Sequence, residues 1–167
     1  MRIETERLVI SELSAQMACA LHVQSLDENT RRYVPDEVFE TQEDAEQAID
    51  YLLQCRKTKT GPQVCAVTLK NGSLVGYVQA VPLKKEWEIG YHIGAAYTGR
   101  GYAKEAVQAF LPVIMKQLEI DSILGICLAE NKASLSVLEY CGFIKQFEGT
   151  GNYQQEQKLV CQYVYQL

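Results

Sequence analysis

The chain has 167 residues, enough for one domain that buries its own core without disulfide help. Apolar residues make up 47% and charged residues 22%, ordinary values for a globular protein; no apolar run has the length of a membrane span, so no membrane partner is expected. A net charge of −5 argues against nucleic-acid binding as the main activity and is compatible with a cationic amine substrate.

The segment Met1-Arg2-Ile3-Glu4-Thr5-Glu6 is charged and lacks the apolar core of a secretion signal. Arg7 to Ser11 reads as the first strand, and Ser14 is positioned to cap a helix from Ala15 to about Leu26. Asp27 to Pro35 reads as a short helix or loop, because Pro35 disfavours helical geometry at Val34. Thr41, followed by Glu43 and Asp44, signals a helix from Gln42 to Arg56 with Ala45, Ala48, Ile49 and Leu52 as its apolar stripe. After the connection Lys57–Pro62, the runs Val64–Leu69 and Leu74–Val78 flank Asn71-Gly72, a strong hairpin signal.

Glu86 to Ile93 is a third strand in which Trp87, Ile89, Tyr91 and Ile93 face one way, and Glu86, Glu88, Gly90 and His92 the other. A helix from Tyr102 to about Leu118 buries Ala103, Ala106, Val107, Phe110, Ile114 and Leu118, with Pro112 on its outer row. Ser122–Leu128 is a strand, and Lys132–Tyr140 a helix capped by Asn131 and closed by Gly142. Strands Ile144–Glu148 and Leu159–Gln166 end the chain around a turn at Gly149-Thr150-Gly151-Asn152. This order predicts one α/β domain over residues 1–167, with a mixed, mostly antiparallel sheet flanked by helices and a strand–Gly-turn–helix–strand core.

That central turn carries the strongest chemical signal. In Thr98-Gly99-Arg100-Gly101-Tyr102-Ala103 the two glycines let the backbone approach a ligand, and the first amides of the following helix have no partners of their own. With the positive helix end and the Arg100 guanidinium, such a turn suits a phosphate. A P-loop is excluded because Tyr102-Ala103 follows Gly101 in place of Lys-Ser or Lys-Thr. A dinucleotide fingerprint needs a third glycine at Lys104 and is the weaker alternative. The six cysteines are far apart and do not cluster with the two histidines, so they read as free, mostly buried thiols in a reducing cytoplasm, and no metal is expected.

Four landmarks together resemble the GCN5-related N-acetyltransferase (GNAT) family, in the branch that includes ribosomal-protein-alanine N-acetyltransferases. They are Thr5-Glu6-Arg7-Leu8, Glu88-Ile89-Gly90-Tyr91, Gly99-Arg100-Gly101-Tyr102-Ala103, and Asn131-Lys132-Ala133-Ser134 with Gly142-Phe143. The resemblance implies transfer of an acetyl group from acetyl-CoA to a primary amine, on a peptide or protein N-terminus or a small molecule, by a monomer or homodimer. A non-catalytic CoA-sensing module is the alternative from another class. The resemblance further implies that the pyrophosphate rests on amides from Gly99 to Ala103, with Thr98 standing where a Gln or Arg is usual. Pantetheine would lie beside Ile93, where a β-bulge would splay the strand from its neighbour, and Asn131 would complete the pocket.

Acetyl transfer needs a base for the amine, a donor for the thioester oxygen and a proton for the thiolate. Glu88 is the leading base and His92 the second candidate; about 13 Å of strand rise separates them, too far for a direct dyad. A backbone N–H near Ile93 is the expected oxyanion donor. Many relatives use a tyrosine as acid where Leu138 stands here, so the resemblance passes that role to Ser134, with Tyr140 a distant third. The pair Arg31-Arg32 reads better as a solvated surface pair than as an acceptor contact.

Overall fold

Alternating apolar residues on the central strands supply two cores, one on each face of a single sheet. A computed structural model describes residues 1–58 and 61–167, so part of the Lys57–Pro62 connection lies outside the described residues. The elements run β1 (Arg2–Glu4), β2 (Leu8–Glu12), α1 (Ala18–Ser25), α2 (Glu28–Tyr33), α3 (Gln42–Thr58), β3 (Gln63–Leu69), β4 (Leu74–Pro82) and β5 (Trp87–Ile93). They continue with α4 (Tyr102–Leu118), β6 (Ser122–Leu128), α5 (Lys132–Tyr140), β7 (Ile144–Tyr153) and β8 (Glu156–Gln166). The sheet order is β1-β2-β3-β4-β5-β6-β8-β7, antiparallel throughout except for the parallel pair β5–β6 that α4 connects. This is the mixed, mostly antiparallel α/β architecture that the pattern predicts.

One core packs α4 against Leu8, Ile10, Cys65, Val67, Val78, Ala80 and Ile89; the other packs α1 and α3 against Val64, Ala66, Leu74 and Tyr77. Leu111 and Met115 join the expected α4 stripe as buried residues, whereas Ala103 and Leu118 are only partly covered. Pro112 faces solvent and α4 runs through it, since the carbonyl left without its N–H partner lies on the wet side. Thr41 and Asp44 cap α3 reciprocally: Asp44 N–H donates to Thr41 Oγ1 at 3.1 Å and Thr41 N–H to Asp44 Oδ2 at 2.9 Å. Five cysteines are buried and Cys19 is exposed; none is bonded to another.

Four expectations need correction. Ser14 makes no side-chain cap; the chain enters α1 through a 3-10 turn at Ala15–Met17 instead. A short strand, β1, precedes the expected first strand. The last turn is at Gln154 and Gln155, both with positive φ, and not at Gly149–Asn152, which is strand. Those glycines serve side-chain packing: a Cβ on Gly151 would lie 2.8 Å from Val160 Cγ2, and one on Gly149 would lie 2.6 Å from the Phe147 ring. The bulge expected on β5 is absent, because β4 and β5 pair without interruption from Gly76↔Ile93 to Pro82↔Trp87. The irregularity lies instead between β3 and β4, where the register shifts at Val67/Thr68. The β5–β6 gap arises from the pairing itself, whose register consists of Glu88↔Leu124.

Candidate active site

Where β5 and β6 part, their facing edges form the floor of a cleft of about 1140 Å³. At one end the chain leaves β5 at Gly94, turns through Ala95–Tyr97 and reaches Gly99 (φ 73°) and Gly101 (φ 78°), both left-handed and therefore suited to glycine. The first bond closing α4 from its cap runs from Glu105 N–H to Gly101 C=O at 3.1 Å, so amides ahead of Glu105 remain available. A Cβ on Gly99 would meet nothing within 4 Å, and one on Gly101 only Arg7 Nη2 at 3.5 Å. Open space in front of unpartnered amides is the shape a pyrophosphate requires, and Lys104 and Lys132 line the same cleft. Thr98, Tyr102, Ala103, Ile93 and Asn131 line it as well; Arg100 does not, and its side chain is exposed.

Arg7 explains why a segment some hundred residues upstream belongs to this turn. Its Nη1 donates to Arg100 C=O at 2.9 Å, its Nε and Nη2 reach Glu105 Oε2 at 2.6 Å, and its guanidinium lies 4.8 Å from the Tyr102 ring centroid. Thr5 Oγ1 donates to Glu105 Oε1 at 2.6 Å. Against the cost of burial, these contacts hold the Glu105 carboxyl below its ordinary range, while the guanidinium offsets its negative charge beside the glycine turn. Arg7→Ala is therefore expected to raise the KM for acetyl-CoA about tenfold, the equivalent of about 1.4 kcal/mol from a half-exposed pair, with little change in kcat. Steady-state kinetics with acetyl-CoA as the varied substrate measures this.

At the fork itself stands Glu88. Burial raises its pKa to about 7; a hydrogen bond from the Ile126 backbone pulls it down and the nearby Glu37 charge pushes it up. From the opposite face of the sheet comes α5, capped as predicted by Asn131, whose Oδ1 accepts from Ser134 N–H at 3.1 Å. Tyr91 Oη donates to Ser134 C=O at 3.0 Å and so ties β5 to α5 across the gap. Ser134 lines the cleft, and its Oγ has no hydrogen-bond partner among the described residues. The structure thus brings Glu88, Ser134, Asn131 and the glycine turn to one cavity.

His92 also lines the cleft, but its Nε2 faces Thr30 Oγ1 at 2.8 Å and Asp27 Oδ2 at 3.6 Å, and its ring stacks on Tyr77 at 5.4 Å. Burial lowers its pKa, opposed by Asp27. These contacts tie β5 to α2, whose cap is Asp27. Leu138 is buried, and its Cδ2 occupies the space a Cβ on Gly125 would need, at 2.6 Å. Tyr140 is exposed under Lys104 and outside the cleft. Arg31 and Arg32 are paired with Glu40 and Glu130.

Sequence reasoning did not find the far end of the cleft. There Tyr153 Oη donates to Tyr33 C=O at 3.0 Å and Gln154 Nε2 to Asp36 Oδ1 at 2.8 Å, so the β7–β8 tip closes against α2 and the turn after it. Glu37 and Gln79 line this end, joined by a 2.7 Å hydrogen bond. Contacts that span more than a hundred residues leave no local pattern; the isolated Asn-Tyr-Gln-Gln run between two strands was the available signal.

Among the described residues, no group of three or more His, Cys, Asp or Glu side chains is arranged to hold a metal ion, and no helix is long and apolar enough to cross a membrane. The family model described as "Acetyltransferase (GNAT) domain" matches residues 7–144. An uncharacterized N-acetyltransferase of Bacillus subtilis (strain 168), YnaD, is 28% identical over 148 residues, covering 87% of this chain and 84% of that protein. A GNAT-family acetyltransferase from Bacillus anthracis superposes with a TM-score of 0.85 at 26% identity, over 99% of this chain and 98% of that one. RimL, a ribosomal L7/L12 alpha-N-protein acetyltransferase solved with coenzyme A, gives a TM-score of 0.86 at 17% identity, over 100% of this chain and 98% of that one. The glycine turn, the parted strands and the family match converge: this chain belongs to the GNAT family and is an acetyl-CoA-dependent N-acetyltransferase.

Proposed function

We infer that the protein acetylates a primary amine by direct attack of that amine on the thioester. The observation that carries this reading is Glu88, a carboxyl at the strand fork whose pKa of about 7 lets it take a proton near neutrality. An amine reaches the enzyme largely as its ammonium ion; Glu88 takes one proton, directly or through a water, which frees the nitrogen lone pair before it attacks and leaves a second proton to be lost from the tetrahedral adduct. Amides of the Gly99–Ala103 turn hold the pyrophosphate, and a backbone N–H near Ile93 donates to the carbonyl oxygen as negative charge develops there. Ser134 lies on the other side of the fork from Glu88, and its Oγ relays the second proton: it passes its own proton to the departing thiolate as it takes the one lost by the adduct nitrogen, so it ends as a neutral hydroxyl. His92 serves as a brace between β5 and α2, because its Nε2 is already engaged.

A covalent acetyl-enzyme is disfavoured. Cys127 is the cysteine that lines the cleft, and burial, with the neighbouring Cys161, pushes its thiol up to about 12, so it stays protonated. The acceptor class is a peptide or protein N-terminal amine, or a small-molecule amine. Incubation of the enzyme and acetyl-CoA with a panel of both, with products identified by mass, tests the reading. CoA release without an acetylated amine anywhere in the panel would count against it. Ser134→Ala is expected to lower kcat about tenfold to a hundredfold with KM nearly constant. A kcat equal to that of wild type would remove Ser134 from the reaction.

A further inference from the structure

The cleft holds a second sheltered carboxylate that acetyl transfer does not use. Glu37 ends the 3-10 turn Pro35–Glu37, and its carboxyl is bonded to side chains of β4. Tyr77 Oη donates to its Oε2, and Gln79 Nε2 donates to its Oε1 at 2.7 Å. Both donors are fixed. The Tyr77 ring stacks on His92, and Gln79 lies across Gly90, where a Cβ would come within 2.8 Å of Gln79 Nε2. Gly90 therefore opens the path that aims Gln79 at Glu37.

Two neutral donors fill only part of a carboxylate's acceptor capacity. Among the described residues neither Glu37 nor Glu88 has an ion-pair partner, and the nearby Arg31 and Arg32 are engaged by Glu40 and Glu130. Buried charge without a counter-ion is costly, and a cationic ligand would relieve that cost. Burial raises the Glu37 pKa against its two hydrogen bonds, and the Glu37 charge in turn raises Glu88. Glu88 pairs across the strands with Val81, two positions beyond Gln79, so the strand position that anchors Glu37 lies roughly 7 Å of rise from the one beside Glu88. One ammonium reaches oxygens only about 2.8 Å away, so that spacing suits two cationic groups on one ligand better than a single shared one.

We propose that Glu37 is the specificity-determining residue of the acceptor end: it receives a second cationic group of the acceptor while the reacting amine sits at Glu88. The inference rests on the amine-acetylation reading above. The preferred acceptor is then a dication, either an alkyl diamine or a peptide whose N-terminal amine is followed closely by a basic side chain.

Matched acceptors separate the two sources: 1,4-diaminobutane against n-butylamine, and the tripeptide amide Ala-Lys-Ala against Ala-norleucine-Ala. With wild type, the dication of at least one pair is expected to show a kcat/KM at least tenfold higher. Glu37→Gln should shrink that preference below threefold through KM, with kcat nearly retained, and Glu37→Asp should restore part of it. A melting-temperature rise with acetyl-CoA checks that each variant is folded, and the wild-type comparison needs no variant. Equal use of both members of each pair, or a preference that survives Glu37→Gln, overturns the inference and leaves acetyl transfer intact. Failure of all four acceptors also overturns it, whereas the reaction itself stands or falls on the wider amine panel.

Discussion

Gly101→Val is expected to lose acetyl-CoA binding, with Kd raised a hundredfold or more, while the protein stays folded. The position explains both halves of that outcome. A Cβ there meets only Arg7 Nη2 at 3.5 Å, so the fold has room for a side chain. The φ of 78° costs a β-branched residue roughly 1–2 kcal/mol, a loss that a domain of this size tolerates. The isopropyl group, however, fills the space in front of the α4 amides, where a phosphate oxygen would otherwise lie about 2.7–3.1 Å from an N–H nitrogen. Saturating acetyl-CoA should raise the wild-type melting temperature and leave that of the variant unchanged. Unaltered affinity, measured by calorimetry, would show that the glycine turn is not the pyrophosphate site.

The second large effect concerns Glu88→Gln, which is expected to lower kcat/KM by about 10² to 10⁴ and to stabilise the protein at the same time. A base must be ionised to act, so the wild-type rate should climb with pH and level off above about 7, the Glu88 value, and the variant should lack that limb. Stability moves the other way. Because the folded-state pKa lies above the ordinary carboxyl value, folding favours the protonated form; this contribution is complete below about pH 4 and is lost as pH rises through 7. A permanently neutral glutamine escapes that loss. At pH 8 the variant should be more stable by up to roughly 3 kcal/mol, and the difference should vanish near pH 4. Chemical denaturation at the two pH values measures it. A variant no more stable at pH 8 than the wild type would mean that Glu88 is better solvated than its position in the fork implies.

The half of the site built from contiguous sequence is legible in the residue pattern alone. The glycine turn, the Glu88 strand and the Asn131 cap are local devices, and each sits in the fold where its pattern puts it. What the sequence conceals is tertiary. The resemblance implies a bulge on β5, yet the gap there follows from how briefly β5 and β6 pair. Gly149 and Gly151 resemble a turn, because composition cannot distinguish a glycine that bends the chain from one that yields room to Phe147 or Val160. Glu37 gives no signal at all: a carboxylate in a polar loop looks solvated until Tyr77 and Gln79, forty residues on, are seen to point at it.

The wall at the far end of the cleft joins Tyr33 and Asp36 to Tyr153 and Gln154, segments near opposite termini. The glycine turn is a local device braced from outside by Arg7, whereas the opposite end of the cleft exists only where two distant stretches fit each other. Transplanting either stretch alone from a homologue should leave a mismatched seam, so exchange of acceptor preference between such enzymes requires both grafts together.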